Sequence, residues 1–234
     1  MQIQSTPTTR TVIIATHCPN NTVESYYAHS LADSIYVFAQ HNIRIIPLFI
    51  NDIQLSVVAK NEIIPVVLEN ECESVIFVDY NLAWDPYTLL DIVNSKYDAV
   101  AIPVTKKVPG NVIFDLDIGL DYKTDNNGYI SVNYASLAMF KLSYSLLTAL
   151  TDSSISITNP SGKEVKNVFE YDTSRGKFFN DSIVLCNKIK NLGFTVWINP
   201  KTTCANIADN IYAADFAATL INIPKSDQIR SLYE

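Results

Sequence analysis

The sequence has few of the residues that staple or metallate small proteins. Its four cysteines, Cys18, Cys72, Cys186 and Cys204, are scattered through 234 residues without a C-x-x-C pair. Neither a zinc site nor a disulfide framework fits that spacing. Thiols so placed are expected to be reduced and buried, because a free Cys packs as a small hydrophobe. The three histidines, His17, His29 and His41, all lie in the first fifth of the chain. His29 and His41 fall on or just after an expected helix and read as surface residues, whereas His17 follows the first expected strand. No apolar run approaches the ~18 residues needed to cross a bilayer. The opening MQIQSTPTTR lacks the apolar core of a secretory leader. A cytosolic protein without a transmembrane segment is therefore expected. Positive charge is also scarce, 17 Lys+Arg against 24 Asp+Glu for a net charge of -7. That balance argues against a broad electrostatic grip on nucleic acid. No internal repeat or long low-complexity segment is apparent.

What is present suits one compact core. With 48% hydrophobic and 18% charged residues, the chain can bury a substantial interior, and a single domain over residues 1–234 is expected. Thr11 to Ala15 is a β-branched apolar run, THCPNN punctuates it, and Tyr27, Leu31, Ile35 and Phe38 recur at near-helical spacing. Ile43 to Ile50 reads as a second strand and residues 54–69 as a helix that Pro65 kinks or interrupts. A third strand ends at Asp79, a helix runs from about Pro86 to Ser95, and Ala99 to Val104 is a fourth strand. This alternation predicts an α/β fold with a mostly parallel sheet covered by helices on both faces. After Lys107 the pattern changes. The turn signal DNNG at 125–128 suggests a hairpin or meander, 153–167 reads as a mobile loop, and Asp181 to Asn191 as a helix stopped by Gly193. Phe194 to Ile198 is a last strand.

The most informative segment is VIFVDYNLAWDP, residues 75–86. Val75 to Val78 suit a fully buried strand, so Asp79 should emerge at its carboxyl end, where open α/β sheets bind ligands. Asp85 reads as an N-cap with Pro86 at the first helical position. The polar loop between them presents Asp79 and Asn81 around Tyr80, a spacing at which two oxygen-bearing side chains can share a divalent cation. Asp115 and Asp117 form a true D-x-D and compete for that role, with both side chains expected on one strand face.

This segment resembles the signature of GT-A glycosyltransferases, of the compact type common in phages and large DNA viruses, D-x-D-I-G-(W/F)-x-P. Asp79 matches the first acid, Asn81 stands at the second, and Leu82, Ala83, Trp84 and Pro86 follow in step. LSVVAKNEIIPVVLEN is similar to the family's R-x-R-N helix, with Val58 and Lys60 at the arginine positions and Asn61 kept. YDAVAIPVTKK resembles the next strand, and ISVNYASLAMFKLSYSLLTAL the G-T-G-F-M-x-I strand with its helix. FFNDSIVLCNKIKNLGFTVWINPKTTCANIA resembles the S-E-D-x-x-F-C helix, the following strand and the closing H-x-G, with Asn206 at the histidine. The likeness spans most of residues 11–210.

The resemblance implies a GT-A-like (Rossmann-like) sheet with a smaller mixed C-terminal part, residues 1–107 binding nucleotide and 108–234 holding acceptor and catalytic groups. It implies transfer of a sugar from a nucleotide-sugar donor to a glycan or glycoprotein hydroxyl, in the cytoplasm of a virus-infected cell. Thr16, His17, Lys60, Asn61, Asp79 and Tyr80 would hold the nucleotide, and Asp79 with Asn81 a Mn2+ or Mg2+ ion. Asp181 would be the catalytic base. Counting from Cys186 puts Asp181 on the family's Glu and Ser182 on its Asp, while a one-residue shift puts Asp181 on the Asp. Replacement of an acid by Asn81 and of a histidine by Asn206 leaves three outcomes: weak metal binding, a diphosphate held by other means, or lost catalysis. The last would make the chain a module that binds glycan, nucleotide or protein.

Overall fold

A computed structural model describes residues 9–220 except 71, 110 and 209. The opening residues 1–8, on which the expectation about a leader rests, lie outside the described residues. The first half alternates as β1 (Arg10–Cys18), α1 (Ser25–Gln40), β2 (Ile43–Asn51), α2 (Ser56–Glu69), β3 (Ser74–Val78), β4 (Leu82–Trp84), α3 (Pro86–Asn94) and β5 (Ala99–Ala101). Then come β6 (Leu116–Asp117), β7 (Ile130–Val132), β8 (Tyr134–Ala135), β9 (Met139–Ser143), α4 (Tyr144–Ser153), β10 (Ser156–Thr158) and β11 (Glu164–Lys166). The described chain closes with α5 (Asp181–Asn191), β12 (Val196–Ile198), β13 (Cys204–Ile207), β14 (Ile211–Tyr212) and α6 (Phe216–Leu220).

Seven strands form the central sheet in the order β2-β1-β3-β9-β5-β12-β7. Five point one way, and β9 and β7 run against them. The expected α/β, Rossmann-like sheet flanked by helices is thus present. The period-2 alternation of each strand divides its side chains between two cores. Ile13, Ala15, Val75 and Phe77 face α2, α4 and α5, whereas Val12, Ile14, Ile76 and Val78 face α1 and α3. Burying each such aliphatic side chain contributes roughly 1.5–3 kcal/mol, so the helical cover on both faces follows directly from the strand pattern. All four cysteines are buried and unpaired. Among the described residues no helix is long and apolar enough to cross a membrane.

Several local expectations need correction. β1 continues to Cys18 because it pairs with β2 along its whole length, so Thr16 and His17 lie in a strand rather than in the loop after it. Pro65 sits inside α2 without ending it; packing of Ile63, Ile64 and Val67 into the core outweighs the lost backbone hydrogen bond. Ile35 is exposed, and Ser34 takes the inward position on α1. The 153–167 stretch, expected as a mobile loop, contains a two-stranded hairpin of β10 and β11. Its turn is closed by Asn159, whose Oδ1 accepts from the Lys163 backbone N–H at 2.8 Å and from Ser161. Asp115 lies in a bend outside β6, so the D-x-D does not present both acids from one strand face.

Candidate functional site

The loop from Asp79 to Asp85 is fixed at both ends. Its first residue is held by the Asp79 backbone N–H, which donates to Ala138 O at 2.8 Å, and its carbonyl, which accepts from Leu82 N at 3.1 Å. The far end follows the expected helix start: Asp85 caps α3 by accepting from Tyr87 N at 2.8 Å, with Pro86 first in the helix. Between them Leu82 to Trp84 is a strand, not open loop, because β4 pairs antiparallel with β13. Trp84 locks this arrangement from the other side. Its Nε1–H donates to Ser34 Oγ at 2.9 Å, its backbone N–H donates to Ser30 Oγ at 3.0 Å, and its ring meets Tyr27 edge-on. The serines on the buried face of α1 are thus explained by the polar groups they receive.

Asp79 itself is half-buried at the carboxyl end of β3. Among the described residues no side-chain hydrogen bond reaches its carboxylate. Burial pushes its carboxyl above the usual carboxylate range; Lys60 opposes that shift, Asp181 adds to it, and His17 and Lys107 oppose it more weakly. The groups that the sequence assigns separately to nucleotide and base therefore meet around one carboxylate. Lys60 projects from α2 and donates to Asp181 Oδ2 at 2.8 Å, with both side chains nearly buried (8% and 14% exposed). Lys60 Nζ also lies 5.9 Å from the Phe169 ring centroid. Asp181 occupies the first turn of α5, behind an Asn180 cap that accepts from Ile183 N at 3.0 Å, where the helix dipole favours negative charge. Neighbouring Ser182 is buried and its Oγ accepts from Leu137 N at 3.2 Å, a packing role.

Asn61, next to Lys60, is engaged at both ends of its amide. Its Oδ1 accepts from Phe169 N at 2.9 Å and its Nδ2 donates to Phe169 O at 2.8 Å. It copies a strand neighbour for the Phe169 backbone and so places that ring against Lys60. Thr16 is fully buried and hydrogen-bonded to the Tyr27 hydroxyl. His17 donates from Nε2 to Ile53 O, a carbonyl that fixes the ring tautomer. Tyr80 is half-buried, and its carbonyl accepts from Glu24 N at 3.0 Å, tying the loop to the start of α1. Asp117 accepts from Gly119 N at 3.1 Å and Asn133 Nδ2 at 2.9 Å, while Asp115 pairs with Lys106 at 3.3 Å. Both acids of that D-x-D are engaged within their own hairpin region.

Asn81 and Asn206, which stand where the resembled family has an acid and a histidine, touch each other. Asn81 Nδ2 donates to Asn206 Oδ1 at 3.0 Å and to Ile207 O at 3.0 Å, and Asn206 Nδ2 donates to Thr105 O at 2.9 Å. Two backbone carbonyls thereby set the orientation of both amides, since a carbonyl accepts only. A divalent cation beside Asp79 needs several inward-facing oxygens, carboxylates foremost. Here the amide N–H groups of Asn81 meet Asn206 Oδ1 and Ile207 O, and the described residues contain no group of three His, Cys, Asp or Glu side chains suited to a metal.

One cation that sequence reasoning passed over belongs to this neighbourhood. Lys107 is exposed, two residues beyond the Thr105 that holds Asn206, and its charge is felt at Asp79. Lys106 is paired with Asp115, whereas among the described residues nothing pairs Lys107. The Lys106-Lys107 doublet after the fourth expected strand was the available signal.

No protein-family model matches the chain, and none of the curated proteins matches it. Among solved structures, A197 from STIV is similar over 86% of each chain, at 12% identity and a TM-score of 0.52. A glycosyltransferase involved in the glycosylation of the major capsid of PBCV-1 overlaps 60% of this chain and 62% of its own, at 9% identity and a TM-score of 0.36. A putative glucose-1-phosphate thymidylyltransferase from Bacillus anthracis overlaps 84% of this chain and 89% of its own, at 9% identity and a TM-score of 0.43. The likeness to A197 is one of fold.

Proposed function

We propose that the chain is a glycosyltransferase that moves a sugar from a nucleotide-sugar donor to a hydroxyl of a glycan or protein. The observation that carries this is the half-buried Asp79 carboxylate, without a hydrogen-bonding partner of its own among the described residues, at a strand end within electrostatic reach of the Lys60–Asp181 pair. An unpartnered acid in such a place is a poor structural device, because burial without a hydrogen bond costs stability. It is a good acceptor for ribose hydroxyls. The ordered sequence likeness to GT-A glycosyltransferases supports the same assignment, as does a Rossmann-like sheet whose strand ends gather these residues.

In this proposal Lys60 faces the donor diphosphate, and His17 and Tyr80 line the nucleoside end, with Thr16 buried behind them on the Tyr27 hydroxyl. Asn61 acts through Phe169 by fixing the wall beside Lys60. Asp181 accepts the acceptor's proton on Oδ1, the oxygen not bonded to Lys60, as the acceptor oxygen forms a bond to the anomeric carbon. The bond from that carbon to the diphosphate breaks, and its electron pair leaves with the nucleoside diphosphate. The test is a panel of nucleotide sugars, read by calorimetry for binding and by release of nucleoside diphosphate for turnover. Binding with turnover on a matched acceptor is expected. Binding without turnover on any acceptor would turn the assignment toward a binding module, and a wild-type protein that binds none of the panel would remove it.

A further inference from the structure

We infer that Tyr171 and Phe178 form a platform on which a sugar ring of the acceptor stacks, so the hydroxyl that receives the transferred sugar belongs to a glycan. The inference rests on the proposed transferase reading of the Lys60–Asp181 site, and it names the class of acceptor brought there.

The two rings lie 5.5 Å apart between centroids and are tilted by 35°. Tyr171 is 43% exposed and Phe178 67%, so each keeps much of its surface in water after meeting the other. The segment that carries them is pinned. Asp172 N donates to Phe179 O at 3.1 Å and Phe179 N to Asp172 O at 2.7 Å, which closes residues 172–179 into a loop. Alternation along the two arms then turns Tyr171 and Phe178 to one common face. Both arms lead into the site. Phe178 precedes Asp181 by three residues, at most roughly 11 Å of chain, and the intervening Asn180 caps α5. Tyr171 follows Phe169, whose ring centroid is 5.9 Å from Lys60 Nζ, by two residues. Tyr171 and Phe169 share a cavity of about 230 Å³ with Val57 and Asn61 of α2. Lys188 of α5 holds this arm as well, pairing with Glu170 at 2.6 Å and donating to Val168 O at 3.0 Å.

The size and chemistry of the patch select its occupant. The two partly covered rings expose on the order of 200 Å² together, against roughly 800 Å² per partner in a stable protein interface. Around them stand Glu170, Asp172, Thr173, Ser174, Lys177 and Asn180, all half-buried or exposed. An apolar surface ringed by polar groups suits a pyranose. Its C–H face is partially positive and meets the negative face of an aromatic ring, while its hydroxyls point outward to polar neighbours. The donor's place in the proposed reading is at Asp79 beyond β3, whereas these rings lie on the arm that opens α5. The sugar stacked here is therefore the acceptor's.

The test uses the full chain. Maltose, cellobiose, lactose, diacetylchitobiose and mannobiose are the sugar probes, and a peptide containing serine and threonine is the protein probe, each titrated without nucleotide and read by proton NMR. At least one disaccharide is expected to bind with a millimolar Kd, its ring C–H protons moving upfield under the aromatic ring current. Tyr171→Ala and Phe178→Ala should each weaken that binding about tenfold, and Tyr171→Phe, which keeps the ring, less than about threefold. None of the three should move the Kd of uridine, guanosine, cytidine or adenosine diphosphate, measured by calorimetry. Absence of disaccharide binding at millimolar concentrations overturns the inference, and so does binding that both alanine variants leave unchanged. Bound sugar protons without an upfield shift overturn it on the wild type alone, should the alanine variants not fold. Peptide binding that the alanine variants abolish would make the patch a protein-acceptor site, and a dimer that they convert to monomer in sedimentation would make it a contact between copies; either result overturns it. Nucleotide bound without any disaccharide removes the platform and leaves the transferase reading, whereas disaccharide bound as expected without any nucleotide keeps the platform and removes that reading.

Discussion

Replacing Asp181 by Asn separates the structural from the chemical part of the Lys60–Asp181 pair. The amide nearly preserves the shape and still offers an oxygen to Lys60 Nζ, but it leaves an ammonium that is 8% exposed without its nearest countercharge. Breaking a buried ion pair by removing one partner costs about 3–5 kcal/mol. The lower end applies here, about 3 kcal/mol, since Asp79 remains within electrostatic reach of Lys60. Lys60→Met should cost less, about 1–2 kcal/mol, because the stranded Asp181 sits in the first turn of α5, where the backbone N–H groups favour an anion. With both changed, the second substitution has little left to break, so the double variant should lie near Lys60→Met and give a coupling of about 3 kcal/mol, the whole cost of Asp181→Asn. Urea unfolding of the four proteins at neutral pH, compared at equal m-values, measures this directly. Additivity within about 0.5 kcal/mol would show that water screens the pair as it does at a surface, and would refute the burial reasoning.

In turnover, Asp181→Asn should lower transfer by about 100-fold or more with donor affinity nearly kept, whereas Ser182→Ala, which loses only the acceptor for Leu137 N, should change it little; single-turnover kinetics on a matched acceptor decides. Asn61→Ala removes two bonds to the Phe169 backbone and should destabilise the fold by roughly 2–3 kcal/mol, read from urea midpoints. Lys141 on β9 is buried, donates to Ile92 O, Ser95 O and Ser95 Oγ at the end of α3, and is pushed down by burial to about 8 from 10.5. The unfolded chain therefore binds more protons between those values, so this residue's destabilising contribution is full below pH 8 and is relieved as pH rises toward 10.5. Relative to Lys141→Met, the wild type should gain about 3 kcal/mol across that window in paired urea titrations; a constant difference would contradict it.

The sequence was most informative where one short segment carries its own instruction. Val75 to Val78 announces a buried strand, and Asp85-Pro86 a helix start, because apolar runs and caps act over a few residues. Asp181 to Asn191 was legible for the same reason, and its ends agree with the observed helix. What local pattern missed depends on distant partners. Leu82 to Trp84 became a strand only through β13, and Ser34 displaced Ile35 from the inward face of α1 because Trp84 needed an acceptor. Lys60 and Asp181 were each visible, but not that one would neutralise the other. Asn81 and Asn206 were legible as two separate losses; only the fold shows them as a single replacement.

The bond between Asn81 and Asn206 joins residues 125 positions apart, and this has a consequence for how the protein is made. A ribosome releases β3 and its Asp79 long before β13 exists. Until β13 docks, β4 lacks its antiparallel partner and the Asn81 amide lacks both acceptors. Such long-range closure comes late, since the loop entropy must be overcome before the contact rewards it. Nascent chains arrested before Cys204 should therefore possess most of the sheet yet leave this corner unassembled. The corner would take its final form only once β13 has emerged and docked, whatever the state of the central sheet by then.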